Sequence, residues 1–356
     1  MIRRLSIYLA VLGCLLPTGC GGPKVTYKYT IAVVPKGLTH EFWQSIHRGA
    51  ERAAADLGEQ GIAVQILWNG PAKESDTREQ IGIVQQMVGS RGIQGLVLAP
   101  QDSKALVPDV KKTTERGIPV VIIDSGLAEP DLMVKYVATD NYNGGKMAAK
   151  HLLDTLAKQG KAAPKIVLFK YAPGSESTEQ REKGFEDEVK SVVEKQKAEG
   201  KPTVEIVSDN VYAGATVDSA QAAAGPLLGR VGDTADGIFA SNESATAGML
   251  NAMRSQKRNG KIVLMGFDQS GPLLQAVKEG DVAGLIVQDP YRMGYLAVWT
   301  LVRHLEGDDV SVGGKNLSTG EYLVTRENID DISTRERFDP ALQEKRKITP
   351  PTWKKK

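Results

Sequence analysis

Eight short runs of buried-type residues, each ending in a polar or charged side chain, recur along this chain. They are Ile31–Pro35 before Lys36, Gly95–Pro100 before Gln101 and Asp102, Val120–Asp124, Tyr136–Asp140 before Asn141, Gly237–Asn242 before Glu243, Val263–Asp268, and Ala283–Gln288 before Asp289, with Lys165–Lys170 the weakest of the set. Open parallel sheets bind ligands just beyond the carboxyl ends of their strands, where loops converge on a crevice. A chain that keeps placing hydrogen-bonding side chains there is building a site for a small, highly hydroxylated molecule.

Helix-like segments alternate with these runs. Phe42, Ile46, Ala50, Ala53 and Leu57 recur at helical spacing and predict a helix over 41–57. Ser75 or Asp76 caps a second helix carrying Ile81, Val84 and Val88, and a third lies near 103–116. The pattern then restarts: Asn143-Gly144-Gly145 opens a helix over 145–159, and further helices are expected near 178–198, 215–228, 244–256 and 291–306. Strand–helix alternation of this kind predicts an α/β, doubly wound architecture. A length of 356 residues exceeds what one core organises, so two lobes are expected. The expected division is a tether at 21–28, a first lobe at 29–138 plus 290–315, a second at 139–289 plus 316–335, and a charged tail at 336–356 whose Lys354–Lys356 end is frayed.

Composition narrows the function. A net charge of +2 leaves no footprint for nucleic acid. Both cysteines, Cys14 and Cys20, lie near the amino terminus, so the folded body holds no disulfide, thiolate metal site or cysteine nucleophile. The four histidines are too scattered to suggest a metal cluster, and no cofactor is implied. Arg3 and Arg4 precede an apolar stretch, Leu5–Leu16, that is too short to span a bilayer. Gly19-Cys20 then forms a small-residue-plus-cysteine junction like that of bacterial lipoproteins, although Pro17 stands where such sites usually carry leucine. The expectation is an exported chain anchored to the membrane through lipid on Cys20; an uncleaved anchor or a plain secretory peptide stays open.

Sugar recognition combines aromatic faces against C–H surfaces with charged or amide groups on hydroxyls. Phe42 and Trp43 lie just after the first strand and face about 100° apart on a helix, so one ring can pack in the core while the other reaches a cleft, with both in the core as the alternative. Asp124, Asp140, Asn242 and Asp268 all end strands, where capping of the next helix is an equally good reading for each alone. Arg181, near a helix start, can fork onto two ligand oxygens or form a surface ion pair with a neighbouring glutamate.

The ordered segments H-E-F-W, L-A-P-Q-D, P-V-V-I-I-D, A-T-D-N-x-x-G-G, R-E-K-G-F, A-S-N-E, G-F-D and Q-D-P run from Tyr29 to about Asn328. In this order the chain resembles periplasmic sugar-binding proteins of the ribose/galactose type, the solute receptors of bacterial ABC importers. The resemblance implies two Rossmann-like lobes of the type I periplasmic binding protein, joined by three hinge crossings and closing on one monosaccharide. It implies ligand contacts from Phe42, Trp43, Asp124, Arg181, Asn242, Phe267, Asp268 and Gln288, with His40, Glu41, Gln101, Asp140 and Asn141 as further candidates. It also implies a membrane ABC permease as partner, and a monomer.

Departures from the family pattern concern specificity. His40-Glu41 stands where ribose receptors usually carry asparagine, Ala99-Pro100 replaces an Asn-Pro, and Asp124-Ser125 replaces an Asp-Arg pair. Another pentose, a hexose or a modified sugar therefore stays open. Repressors of the lac type share such a core but carry a DNA-binding headpiece, whose place here is taken by the export segment. Two other functions remain as alternatives: a sugar or autoinducer sensor feeding a chemoreceptor or kinase, and, least favoured, a glycoside hydrolase using Asp124 with Asp268 or Glu41 with Asp140.

Overall fold

Strands Tyr29–Val34 (β1), Val64–Trp68 (β2), Gly95–Leu98 (β3), Val120–Ile123 (β4) and Lys135–Ala138 (β5) pair in parallel. Lys165–Lys170 (β6), Glu205–Tyr212 (β7), Gly237–Ala240 (β8), Val263–Phe267 (β9) and Gly284–Val287 (β10) build a second parallel set. Asn316–Ser318 (β11) then adds to β5, and Tyr322–Val324 (β12) adds antiparallel to β10. The sheet orders are β11-β5-β4-β3-β1-β2 and β12-β10-β9-β8-β6-β7, the same winding twice. This computed structural model describes residues 26–89 and 92–356; Cys14, Cys20 and the expected export segment lie outside the described residues.

The strands read as unbroken apolar runs because both faces of each sheet are covered. In β1, Ile31 and Val33 face one cluster while Ala32 and Val34 face another. The first cluster packs under helices Glu41–Glu59 (α1) and, from far along the chain, Pro290–Leu305 (α9). The second packs under Thr77–Gly89 (α2) and Val107–Glu115 (α3). In the other lobe, Asn141–Lys158 (α4) and Glu176–Ala198 (α5) cover one face, and Val217–Val231 (α6), Glu243–Ser255 (α7) and Gly271–Glu279 (α8) cover the opposite one.

Helix α4 begins four residues before its expected start, at Asn141, with Asp140 Oδ1 accepting from the Asn143 amide at 2.9 Å. Gly144 and Gly145 therefore lie inside the helix, where packing offsets their poor helix propensity. A Cβ on Gly145 would sit 1.9 Å from the Arg181 carbonyl of α5, and one on Gly184 would sit 2.0 Å from the Tyr142 carbonyl. This backbone-to-backbone crossing is what brings Arg181 up to the ends of the second sheet.

The chain passes between the lobes at 139–140, 288–289 and 319–321, flanked by β5 and α4, β10 and α9, and β11 and β12. The last crossing falls after Ser318 rather than at 316, because β11 still pairs with β5. The tail departs further from expectation. After Ile332–Arg335 (α10), Phe338 packs on the second lobe, while Pro340–Lys345 (α11) reaches the first. There Gln343 Oε1 accepts from Ser45 Oγ at 3.0 Å, and Ile348 and Trp353 pack on the cluster under α1. The terminal lysines are bound rather than frayed: the Asp309 amide donates to Lys354 O at 2.8 Å, Lys355 Nζ to Glu306 O at 2.5 Å, and the Lys356 amide to Gly307 O at 3.0 Å. Carbonyls at the end of α9 attract such cations.

Candidate functional site

The carboxyl ends of both sheets face a cavity of about 280 Å³ between the lobes. That is near the lower end of the ~300–1,000 Å³ range of small-molecule pockets. Asp124 follows β4 and Asp268 follows β9, the third strand of each sheet order. Both adopt left-handed backbone, with φ of 61° and 64°. Aspartate tolerates that region better than most residues, and its use at matching points in both lobes brings a carboxylate to the cavity wall each time.

Arg181 is 2% exposed and holds one wall together. Its Nε donates to Asn141 Oδ1 at 2.9 Å, and its Nη1 donates to the Ser241 carbonyl at 3.1 Å and to Asp268 Oδ2 at 3.3 Å. The guanidinium lies 3.7 Å from the centre of the Phe267 ring. Gln288 Nε2 donates to the other Asp268 oxygen at 2.6 Å. Burial raises the Asp268 carboxyl above its ordinary range, and Arg181 and Gln288 pull the other way.

Across the cavity, Lys36 Nζ lies 3.1 Å from Asp124 Oδ2 and donates to Ser175 and Ser177 of the opposite lobe at 3.3 and 3.2 Å. The Ser177 amide donates to Ser125 Oγ at 3.1 Å, and Tyr171 OH to Glu74 Oε2 at 3.0 Å. The other Glu74 oxygen accepts from Trp43 Nε1 at 2.7 Å. These contacts bridge the lobes, so the molecule stands closed. Trp43 is 2% exposed and meets Phe42 edge-on at 4.9 Å, and both rings line the cavity.

The structure brings His40, Glu41, Phe42, Trp43, Asp124, Arg181, Asn242, Asp268 and Gln288 together around this cavity. Asn242 also caps α7, accepting from the Ala245 amide at 3.0 Å, so capping and cavity lining coexist there. Four expected residues lie elsewhere. Phe267 is fully buried beneath Arg181 against α4, because its position in β9 points to the α4–α5 face of the sheet. Gln101 turns inward, its Nε2 donating to the carbonyls of Lys36 and Lys73 at 2.6 and 3.1 Å. Asp140 is the α4 cap, and Asn141 is behind the wall, donating to Asp124 O at 3.3 Å while it orients Arg181.

Sequence reasoning missed Lys36, Glu74, Tyr171, Ser175, Ser177 and Glu243 as lining residues. Lys36 and Glu243 directly follow two of the apolar runs, and that adjacency was the available signal. Among the described residues, no three His, Cys, Asp or Glu side chains converge in a way that would hold a metal ion.

A buried carboxyl supports the Tyr171 side of the cavity. Glu182 Oε1 accepts from the Tyr171 amide at 3.0 Å and from Ser241 Oγ at 2.9 Å. Burial pushes its pKa from 4.5 up to about 7, against those two hydrogen bonds. An acid raised in the folded state binds more protons there than when unfolded, so its contribution to stability is full below about 4.5 and is lost as pH rises through about 7. The shift corresponds to on the order of 3 kcal/mol. Glu182→Gln is expected to flatten this part of the pH dependence, leaving the variant more stable than the parent at pH 8 and not at pH 4.5. Urea midpoints at the two pH values check it, and equal differences at both would refute it.

A model of the periplasmic binding protein domain matches residues 31–309. The D-ribose/D-allose-binding protein of Pseudomonas aeruginosa is 30% identical over 312 residues, covering 86% of this chain and 92% of that protein. The ribose import binding protein of Bacillus subtilis is 28% identical, covering 92% and 98%. Among solved structures, a carbohydrate-transporter solute-binding protein from Agrobacterium radiobacter in complex with D-arabinose superposes with a TM-score of 0.77 at 32% identity, covering 87% of this chain and 99% of that one. An Agrobacterium vitis solute-binding protein with bound D-fucose gives 0.75 at 32%, covering 86% and 99%. Two α/β lobes, each built on a mostly parallel sheet, match those of these neighbours, and the chain belongs to the periplasmic binding protein family.

Proposed function

We propose that this protein is an exported receptor that captures a monosaccharide between its lobes and hands it to a membrane ABC permease. The observation carrying this reading is the closed cavity itself: aromatic rings of one lobe and Arg181, Asp268 and Gln288 of the other line a volume suited to one small polar molecule. The sugar-import relatives and the sugar-bound neighbours support it. Ligand contacts to both lobes favour closure in proportion to the ligand's differential affinity for the closed state.

Binding rather than catalysis fits the carboxylates. Asp124 is matched by Lys36 and Asp268 by Arg181 and Gln288, which makes them fixed acceptors for hydroxyls. Asp140 is turned away as a helix cap, which removes the Glu41–Asp140 pair. Lipid attachment at Cys20 and a monomeric state belong to the same proposal.

A thermal-shift panel of pentoses, hexoses, amino sugars, deoxy sugars and polyols on the chain after Cys20 tests this reading. A ligand at 100 times its Kd adds about 2.7 kcal/mol to folding, so at least one sugar is expected to raise Tm clearly. No shift with any member would overturn the sugar reading. With the responding sugar, Asp124→Asn is expected to weaken affinity by about 1.5–3 kcal/mol, measured by calorimetry, as befits a hydrogen bond to a charged group.

A further inference from the structure

Charges lining the cavity do not cancel. Lys36 is matched to Asp124 at 3.1 Å, and Arg181 to Asp268 at 3.3 Å. Glu74 of the first lobe and Glu243 of the second are left facing one imidazole: His40 Nδ1 lies 3.7 Å from Glu74 Oε1 and 3.4 Å from Glu243 Oε2. Even a protonated His40 balances only one of them. The remaining donors to Glu74, Trp43 and Tyr171, are neutral. Glu41, exposed at the cavity mouth, adds a further negative charge. Burial pushes the Glu243 carboxyl up, with His40 the largest opposing influence, as expected where cationic partners are short.

Hydrogen-bonding capacity is unbalanced in the same sense. The Oε1 atoms of Gln269 and Gln288 are buried without a partner, in cavity-lining side chains that are 8% and 1% exposed. The Gln288 amide is fixed by its Nε2 bond to Asp268, so its free atom is an acceptor. Buried acceptors without donors, and buried carboxylates short of cationic partners, are costly unless a ligand supplies what is missing. The complementary ligand is rich in N–H or O–H donors and carries positive charge.

We propose that the ligand is an amino sugar whose primary ammonium sits between Glu74 and Glu243 beside His40. This rests on the sugar-receptor reading and narrows its substrate class.

Calorimetry tests it with D-glucosamine, D-galactosamine and D-mannosamine, each beside its parent hexose and its N-acetyl derivative. At least one amine is expected to bind tenfold or more tightly than both its parent and its N-acetyl form. Glu243→Gln, checked for folding by its ligand-free Tm, is expected to reduce that preference at least fivefold. Parent hexoses binding as tightly as the amines would overturn the amino-sugar assignment and leave the sugar receptor standing. No binding by any member, with a neutral pentose raising Tm, would overturn it equally. No binding to any sugar would overturn both.

Discussion

Replacing Arg181 by methionine is expected to lower folding stability by about 3–5 kcal/mol, because it leaves the Asp268 carboxylate buried beside a chain that can no longer answer it. Asp268 is 8% exposed, and among the described residues Gln288 is the only other hydrogen-bond partner of its carboxylate. The loss extends past that pair: the Ser241 carbonyl and Asn141 Oδ1 each lose a donor. Urea denaturation of the single variants and of Arg181→Met with Asp268→Asn measures the coupling. The double variant is expected to recover a substantial part of the loss, since it removes the stranded charge. A single-variant cost below about 1 kcal/mol would place Arg181 among exposed ion pairs of little consequence. Sugar affinity is expected to fall by about 1.5–3 kcal/mol in whatever fraction folds.

Adding one methyl group at Gly145 is expected to do comparable damage for a different reason. In an exposed helix, Gly→Ala stabilises by about 1 kcal/mol through backbone entropy. At Gly145 the new Cβ would lie 1.9 Å from the Arg181 carbonyl, so α4 and α5 must separate. Overpacking of this kind costs about 1–3 kcal/mol and occasionally more. Here backbone rather than a flexible side chain is in the way, which points to the upper end. The control is Gly82→Ala in α2, where nothing lies within 4 Å of the added atom and a gain of up to about 1 kcal/mol is expected. Because Arg181 moves with α5, Gly145→Ala should also weaken sugar binding, whereas Gly82→Ala should not. Equal stability changes at the two positions would remove the helix-crossing argument.

The twofold winding was legible because each buried strand is a continuous apolar run and each following helix has its own period. Fully covered strands hide which of their faces a residue takes, and that explains the misplacement of Phe267: nothing in Val263–Phe267 distinguishes the α4–α5 face from the other. Asp124, Asp268 and Gln288 were legible as cavity-lining residues because they directly follow strands, the point from which side chains reach the cleft. Glu74 comes from the loop between β2 and α2, and Tyr171, Ser175 and Ser177 from the β6–α5 turn and the first turn of α5. Their roles depend on the opposite lobe arriving at hydrogen-bond distance, which local spacing does not encode. Gln101 carries the same strand-end signature as Asp124 yet serves the loops behind it. The terminal lysines read as a solvated end because the carbonyls that hold them are nearly fifty residues away.

Those lysines have a mechanical consequence. Lys28 and Tyr29 at the start of the described chain and Lys355 at its end all bond Glu306, so both ends are pinned to one corner of the first lobe. Any tether pulling on either end therefore loads the same lobe. Were either end anchored, opening and closing would reduce to the second lobe swinging like a door on a held frame, and a reporter dye placed on that second lobe would carry nearly all of the displacement.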